Sequence, residues 1–288
     1  MGLGPFTIVE PTHDTPVLVE VPHAGLRLDG EALGCMIAPC RNLARDADLY
    51  VDEIFGDAPS LGASLLIADV SRYVVDLNRA EDDFDGAAVA GGPEAHRPRG
   101  VIWSVSSDGQ PVLSQPLPAA EYERRMTLYH RPYHRALAEL LERKRARFGF
   151  ALALCAHSMP TPRRRERGRR APESGLADLV PGSRGRTSAA GRFIDLVEQV
   201  GRRHGFTVVH DDPYKGGYTT THYGRPDAGC HVVQLEIARA LYMDELRLCR
   251  VRDGLERLRQ FAGTLVSELV VEAERVYRGA REDDRIRR

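Results

Sequence analysis

The chain has 288 residues, 42% hydrophobic and 28% charged, which suits one large α/β domain or two modest ones and argues against disorder. Lys and Arg number 40 against 41 Asp and Glu, a formal net charge of -1, so no global field favours nucleic acid or an anionic membrane and any charge selectivity has to be local. No apolar run reaches membrane-spanning length, no basic and apolar leader opens the chain, and five irregularly spaced cysteines (Cys35, Cys40, Cys155, Cys230, Cys249) read as thiols of a reducing compartment, so a cytoplasmic protein is expected.

In chain order, apolar runs at 17–22, 63–70, 150–156, 206–210 and 231–237 predict strands. Helical periodicity between them predicts a single α/β domain with a mixed, mostly parallel sheet flanked by helices. Asp46 is predicted to open a helix running to Gly62. Further helices are predicted over 121–148, with Pro132 as a kink, over 188–204, and from 244 to about 277. In the last, Leu248, Val251, Leu255, Leu258, Leu265 and Leu269 form an apolar stripe that reads as a face packed on the sheet. Segments 81–115 and 160–186 are rich in Gly, Pro and charge and read as long loops over the strand ends. The arginine run Arg163 to Arg170 lacks interleaved aromatics and reads as a solvated face, and the polar tail from about 280 to 288 reads as frayed.

Chemistry collects at predicted strand ends. Val17-Leu-Val-Glu-Val-Pro22 runs into His23, and Phe150-Ala-Leu-Ala-Leu-Cys-Ala156 runs into His157; open α/β sheets build their sites at such carboxyl ends. Two imidazoles there point to a metal site whose third ligand is a carboxylate. Asp48 and Asp52, four residues apart and so on one face of the predicted helix, are the candidates. Asp48 is the first choice, and Asp52 is its alternate or an orienting partner. Glu236 ends the strand-like run from Cys230 and is placed to move protons for a water at an open metal position, with Ile237 and Ala238 giving it partial burial. Asn78 and Arg79 offer an amide and a planar cation suited to a carboxylate, with Arg72 as a second cation.

Six blocks in this order carry a resemblance: Pro22-His23-Ala24-Gly25; Arg72-Tyr-Val-Val-Asp-Leu-Asn-Arg79; Ala156-His157-Ser158-Met159-Pro160; Pro213-Tyr-Lys-Gly-Gly-Tyr218; His222-Tyr-Gly-Arg-Pro226; and Gln234-Leu-Glu236 followed by Arg239-Ala-Leu-Tyr-Met-Asp-Glu245. Together they resemble the N-formylglutamate amidohydrolases from about residue 6 to 270. That family is similar to the zinc carboxypeptidases and aspartoacylases, and the resemblance implies a zinc-exopeptidase (phosphorylase/hydrolase)-like fold. By position it implies His23, Asp48 (or Asp52) and His157 on one divalent metal, zinc first, with Glu236 as the base and Asn78-Arg79 as the carboxylate clamp. One departure stands out: relatives carry the acidic ligand three residues after the first His, where this chain has Leu26.

The implied reaction is N-formyl-L-glutamate plus water to formate and L-glutamate, a terminal step of one histidine-degradation route. A small acidic N-formyl amino acid is then the partner, with no nucleic acid and no membrane. Its two carboxylates need at least two cations, and Arg184, Lys215 and Arg225 join Arg72 and Arg79 as candidates. His222 is a candidate oxyanion donor, whereas His130, His134, His210 and His231 read as structural. Two alternatives stay open: an amidohydrolase of another N-formyl or N-acyl amino acid, and a binding protein that keeps the fold without the chemistry.

Overall fold

The computed structural model describes residues 4–161 and 177–287, so the arginine run and most of the predicted 160–186 loop lie outside the described residues. In chain order the elements are β1 (Phe6–Val9), β2 (Val17–Val21), α1 (Gly30–Cys35), α2 (Cys40–Asp46), α3 (Val51–Ile54), β3 (Ser64–Ala68), α4 (Ala119–Arg125) and α5 (Arg131–Phe148). They continue with β4 (Ala151–Met159), β5 (Leu179–Gly182), α6 (Gly191–Arg203), α7 (Tyr218–Tyr223), β6 (Cys230–Ala238), β7 (Met243–Asp244), β8 (Cys249–Arg250) and α8 (Arg252–Arg287). Six strands form one sheet in the order β1-β3-β2-β4-β6-β5, with β2, β4 and β6 parallel and β5 antiparallel on β6. The expected mixed, mostly parallel α/β sheet is therefore present. By contact density the chain forms two compact units, one of Met1–Thr7, Val21–Leu49 and Leu66–Ala138, the other of Ile8–Glu20, Tyr50–Leu65 and Glu139–Arg288.

In the second unit β4 is buried along its whole length. Its sequence is accordingly a continuous apolar run, as in a parallel strand covered on both faces, rather than an alternating one. Helix α8 packs on α6 and buries Leu258, Phe261, Leu265, Leu269 and Ala273, a three-and-four spacing that turns one stripe inward. It starts at Arg252, later than predicted, because 243–250 forms the small β7–β8 hairpin, where Leu248 takes a positive φ of 55° and Val251 is exposed. The helix continues to Arg287, through the tail expected to fray. The run 206–210 is no strand; only an isolated bridge joins Val208 to Leu179. Strands β1 and β5 were not predicted, being four residues each and too short for a periodic signal.

The predicted helix over 121–148 is two α segments joined by a π turn at Met126–His130. Pro132 lies two residues after that turn in a continuous helical run, where it offers no N–H to the preceding turn and its ring crowds the carbonyl four residues back, so the expected disturbance falls just ahead of it, in the π turn. Among the described residues no helix is long and apolar enough to cross a membrane, and all five cysteines are free thiols.

In the first unit the segment after β2 lies against the end of β3. Arg27 N–H donates to the Asp69 carbonyl at 3.0 Å, and a Cβ on Gly25 would stand 2.4 Å from the Asp69 carbonyl carbon. Only a residue without a Cβ lets the backbone beside His23 approach so closely. Gly25→Ala is expected to cost about 3 kcal/mol, the upper range for overpacking against unyielding backbone, measured as a shift of the urea midpoint at constant slope.

Candidate metal centre and active site

On β4 and β6, parallel pairing sets His157 directly opposite Glu236 and Cys155 opposite Gln234, while Glu20 on β2 stands opposite Cys155. Cross-strand partners point to one face, so Glu20, Cys155 and Gln234 form a polar row and His157 with Glu236 the next row toward the carboxyl ends. Glu236 is buried, and its Oε1 accepts a hydrogen bond from Gln234 Nε2 at 2.9 Å. Gln234 is held in turn by its Oε1, which accepts the Gly217 N–H at 2.8 Å just ahead of α7. The amide therefore cannot rotate, and it aims a donor at the carboxylate. Cys155 Sγ lies 3.2 Å from His157 Nε2. Burial first, then the neighbouring Glu20 carboxylate, pushes this thiol well above its ordinary range, so it stays protonated and apolar-like.

In the other half of the site, Asp76 is the organising group. Its Oδ1 accepts from His23 Nε2 at 2.7 Å and from the Asn78 N–H at 3.0 Å; its Oδ2 accepts from Arg72 Nη2 at 2.7 Å and from the Trp103 indole at 3.0 Å. Burial raises this carboxyl, but Arg72 and His23 outweigh it and hold Asp76 well below the usual carboxylate range. An ionised Asp76 requires the proton on Nε2 of His23. His23 Nδ1 faces Asp48 Oδ2, 3.6 Å away, and with Nε2 committed to Asp76 it is the ring nitrogen this side chain can offer a cation.

His23, Asp48 and His157 are all buried, and each offers a ligand atom within 4.8 Å of the others. Two imidazoles and one carboxylate match the donor set of a catalytic zinc-type site that keeps a position open. The residues present therefore fit a divalent metal. Asp52 does not join the group. The predicted helix from Asp46 to Gly62 does not form: α2 ends at Asp46, Tyr50 takes a left-handed φ of 68°, and α3 spans only Val51–Ile54. Asp48 stands in the turn before α3 rather than on a helix face shared with Asp52, and its N–H donates to the His23 carbonyl at 2.9 Å, which ties the two candidate ligands together.

The predicted substrate-binding cations divide. Arg72 is half-buried, ion-paired to Asp76 and stacked 4.5 Å over Trp103, contacts that hold it within the Asp76 network. Asn78 is buried beside Asp76, and Arg79 is exposed, with Asp83 3.8 Å away. Arg184 and Lys215 are exposed and joined by backbone, the Arg184 N–H donating to the Lys215 carbonyl. Arg225 is exposed. His222 on α7 stacks on Tyr218 at 4.8 Å; burial first and then Arg225 push its imidazole below the usual histidine range, so it is neutral near pH 7. The histidines read as structural have such partners: His130 Nε2 contacts the Arg79 carbonyl, His210 contacts Ser183 Oγ, and His231 Nδ1 accepts the Ala190 N–H.

Asp76 and Gln234 lie inside blocks that carry the resemblance but were given no role from the sequence, and Trp103 was not singled out. Asp76 carries a legible signal, as the one acid inside an otherwise apolar Tyr73–Leu77 run, and Gln234 carries one as the polar residue two before Glu236; Trp103 carries none, because its partner Asp76 is distant in the chain.

A buried strand-borne carboxylate beside two imidazoles in a mostly parallel α/β sheet is a constellation suited to amide hydrolysis. The family model of N-formylglutamate amidohydrolase matches residues 15–243. The chain is 34% identical over 233 residues to the N-formylglutamate deformylase of Pseudomonas aeruginosa, covering 80% of this chain and 83% of that protein. It is 32% identical over 246 residues to the Pseudomonas putida enzyme of the same name, covering 83% and 86%. The crystal structure of N-formylglutamate amidohydrolase from Ralstonia eutropha superposes with a TM-score of 0.85 at 33% identity, covering 96% of this chain and 100% of that one. The chain belongs to the N-formylglutamate amidohydrolase family.

Asp76→Asn replaces a fixed acceptor with an amide that can present its NH2 to His23 and Arg72. Metal affinity is expected to fall about 10- to 100-fold, the usual effect of losing a carboxylate behind a ligating imidazole, measured by competitive zinc titration.

Proposed function

We propose that the chain hydrolyses N-formyl-L-glutamate to formate and L-glutamate with one divalent metal, zinc, held by His23, Asp48 and His157. The buried group of these three side chains carries the chemical part of the reading; family membership carries the substrate. A cation in that group supplies Lewis acidity, polarising an amide carbonyl and making a neighbouring water more acidic.

Glu236 then has two tasks. It takes a proton from the attacking water as the water oxygen bonds to the formyl carbon, and it delivers that proton to the departing nitrogen as the C–N bond breaks. The Gln234 hydrogen bond keeps the carboxylate in one rotamer between the two transfers. His222, neutral near pH 7, is the proposed donor to the developing oxyanion, a contribution of roughly 3–4 kcal/mol for a well-aimed group. Asn78 and Arg79 grip one substrate carboxylate, and Arg184, Lys215 and Arg225 on exposed turns are the further cations available to a dianion. The five free thiols support a reducing, cytoplasmic setting, and the substrate of the family is what supports a place in histidine breakdown.

The test combines metal analysis with formate release. Wild type is expected to bind one zinc per chain and to prefer N-formylglutamate strongly over its diamide; equal rates on both would overturn the substrate. His23→Ala and His157→Ala are expected to lose stoichiometric metal while remaining folded. Glu236→Gln is expected to keep metal and nearly unchanged KM while kcat falls by several orders of magnitude, and wild-type turnover in that variant would remove Glu236 from the mechanism.

A further inference from the structure

Three arginines of the first unit line a cavity of about 320 Å³ with Asp83 and His96: Arg79, from the expected clamp, and Arg97 and Arg99, from the Gly- and Pro-rich segment after it. One carboxylate serves two of them. Asp83 Oδ1 lies 3.3 Å from Arg97 Nη1 and its Oδ2 3.8 Å from Arg79 Nη1, while Arg99 has no acidic partner among the described residues. Three guanidinium charges against one carboxylate leave an excess of two positive charges at one concave place, in a chain whose net charge is -1.

A solvated arginine cluster on a pliable loop is the competing explanation, and the backbone speaks against it. The buried Asp85 carboxylate accepts the N–H groups of Ala87, Ala88 and Arg97, at 2.7 Å for the last. Gly100 is wedged so tightly that a Cβ would stand 1.9 Å from the Asp83 carbonyl oxygen, and the Val101 N–H donates to that same oxygen. The loop is also tied to the metal-ligand support: the Asp76 N–H donates to the Val101 carbonyl, and Trp103 donates to the Asp76 carboxylate. From the other side, the Arg79 N–H closes a turn onto the Asp76 carbonyl, which keeps the Cα atoms of these two residues within about 7 Å. The arginine-lined cavity is therefore built on the same backbone frame that orients His23.

We infer that Arg97 and Arg99, with Arg79 at the shared rim, form the subsite for the side-chain carboxylate of an acidic N-formyl amino acid. This rests on the proposed substrate class and deepens it: Arg79 and Asn78 hold one carboxylate, and the Arg97–Arg99 pair receives the other. A planar guanidinium pair matches a carboxylate through paired N–H donors, and the incoming negative charge meets the excess left by Asp83. The sites are partly open to water, so the expected energy lies between that of an exposed ion pair and a desolvated one.

Arg99→Gln is the clean probe, because it strands no acidic partner. The measured quantity is the ratio of kcat/KM for N-formylglutamate to that for N-formylalanine, with a thermal unfolding midpoint as the folding control. The ratio is expected to fall about tenfold, carried by KM, with Arg99→Lys intermediate and Arg97→Gln,Arg99→Gln lower still. A fall of less than fivefold in the double variant, or one carried by kcat at constant KM, overturns the subsite. A wild-type enzyme that cleaves N-formylalanine as efficiently as N-formylglutamate overturns the acidic-substrate reading itself, and the subsite with it. A wild-type preference for glutamate that survives in the double variant removes the subsite alone.

Discussion

The buried carboxylate of Asp76 is the constraint on which the site depends. At 1% exposure it would be a heavy liability as an isolated charge, and several kcal/mol of desolvation have to be offset. The offset comes from four donors fixed by four different local structures: the Arg72 guanidinium, the Trp103 indole, the Asn78 backbone and the His23 imidazole. Each satisfies part of the charge, and in return each is fixed in place. The histidine tautomer, the orientation of the Asn78-Arg79 turn and the anchoring of the 85–105 segment therefore follow from one ionised group.

A comparable economy operates on the sheet. Glu236 is oriented by Gln234, and Gln234 by a backbone N–H that leads into α7. In the proposed mechanism the carboxylate has to keep its position between two proton transfers, and a strand with a hydrogen-bonded amide beside it gives that rigidity where a loop would not. The polar row of Glu20, Cys155 and Gln234 lies in the buried centre of the sheet. Thr219 Oγ1 donates to Glu20 Oε1 at 3.2 Å, and the protonated Cys155 thiol separates the carboxylates without adding charge.

Charge is arranged locally rather than globally. A chain close to neutral overall concentrates guanidinium groups around one cavity and offers each less than one carboxylate. Other arginines are paired conventionally, among them those of the Arg124–Asp29–Glu121 and Arg131–Glu81–Glu123 networks. An incompletely neutralised cluster on a fixed backbone is what the inferred carboxylate subsite rests on.

By itself the sequence determined the parallel α/β sheet, His23 and His157 as the paired imidazoles, Asp48 as first choice over Asp52, and Glu236 on its strand. These are properties of local pattern: a buried parallel strand must be an apolar run, and a functional group at its end interrupts that run visibly. The tertiary structure decided what depends on distant partners or on single dihedral angles. Tyr50 in the left-handed region ended the expected helix and separated Asp48 from Asp52. The run 206–210, apolar enough for a strand, found only one bridging partner. Asp76 became the centre of the site because Trp103, 27 residues on, and His23, 53 residues back, bring it their donors. Arg97 and Arg99 face a shared cavity because Gly100 fits where no side chain could, and no periodicity in a Gly- and Pro-rich segment encodes that close approach.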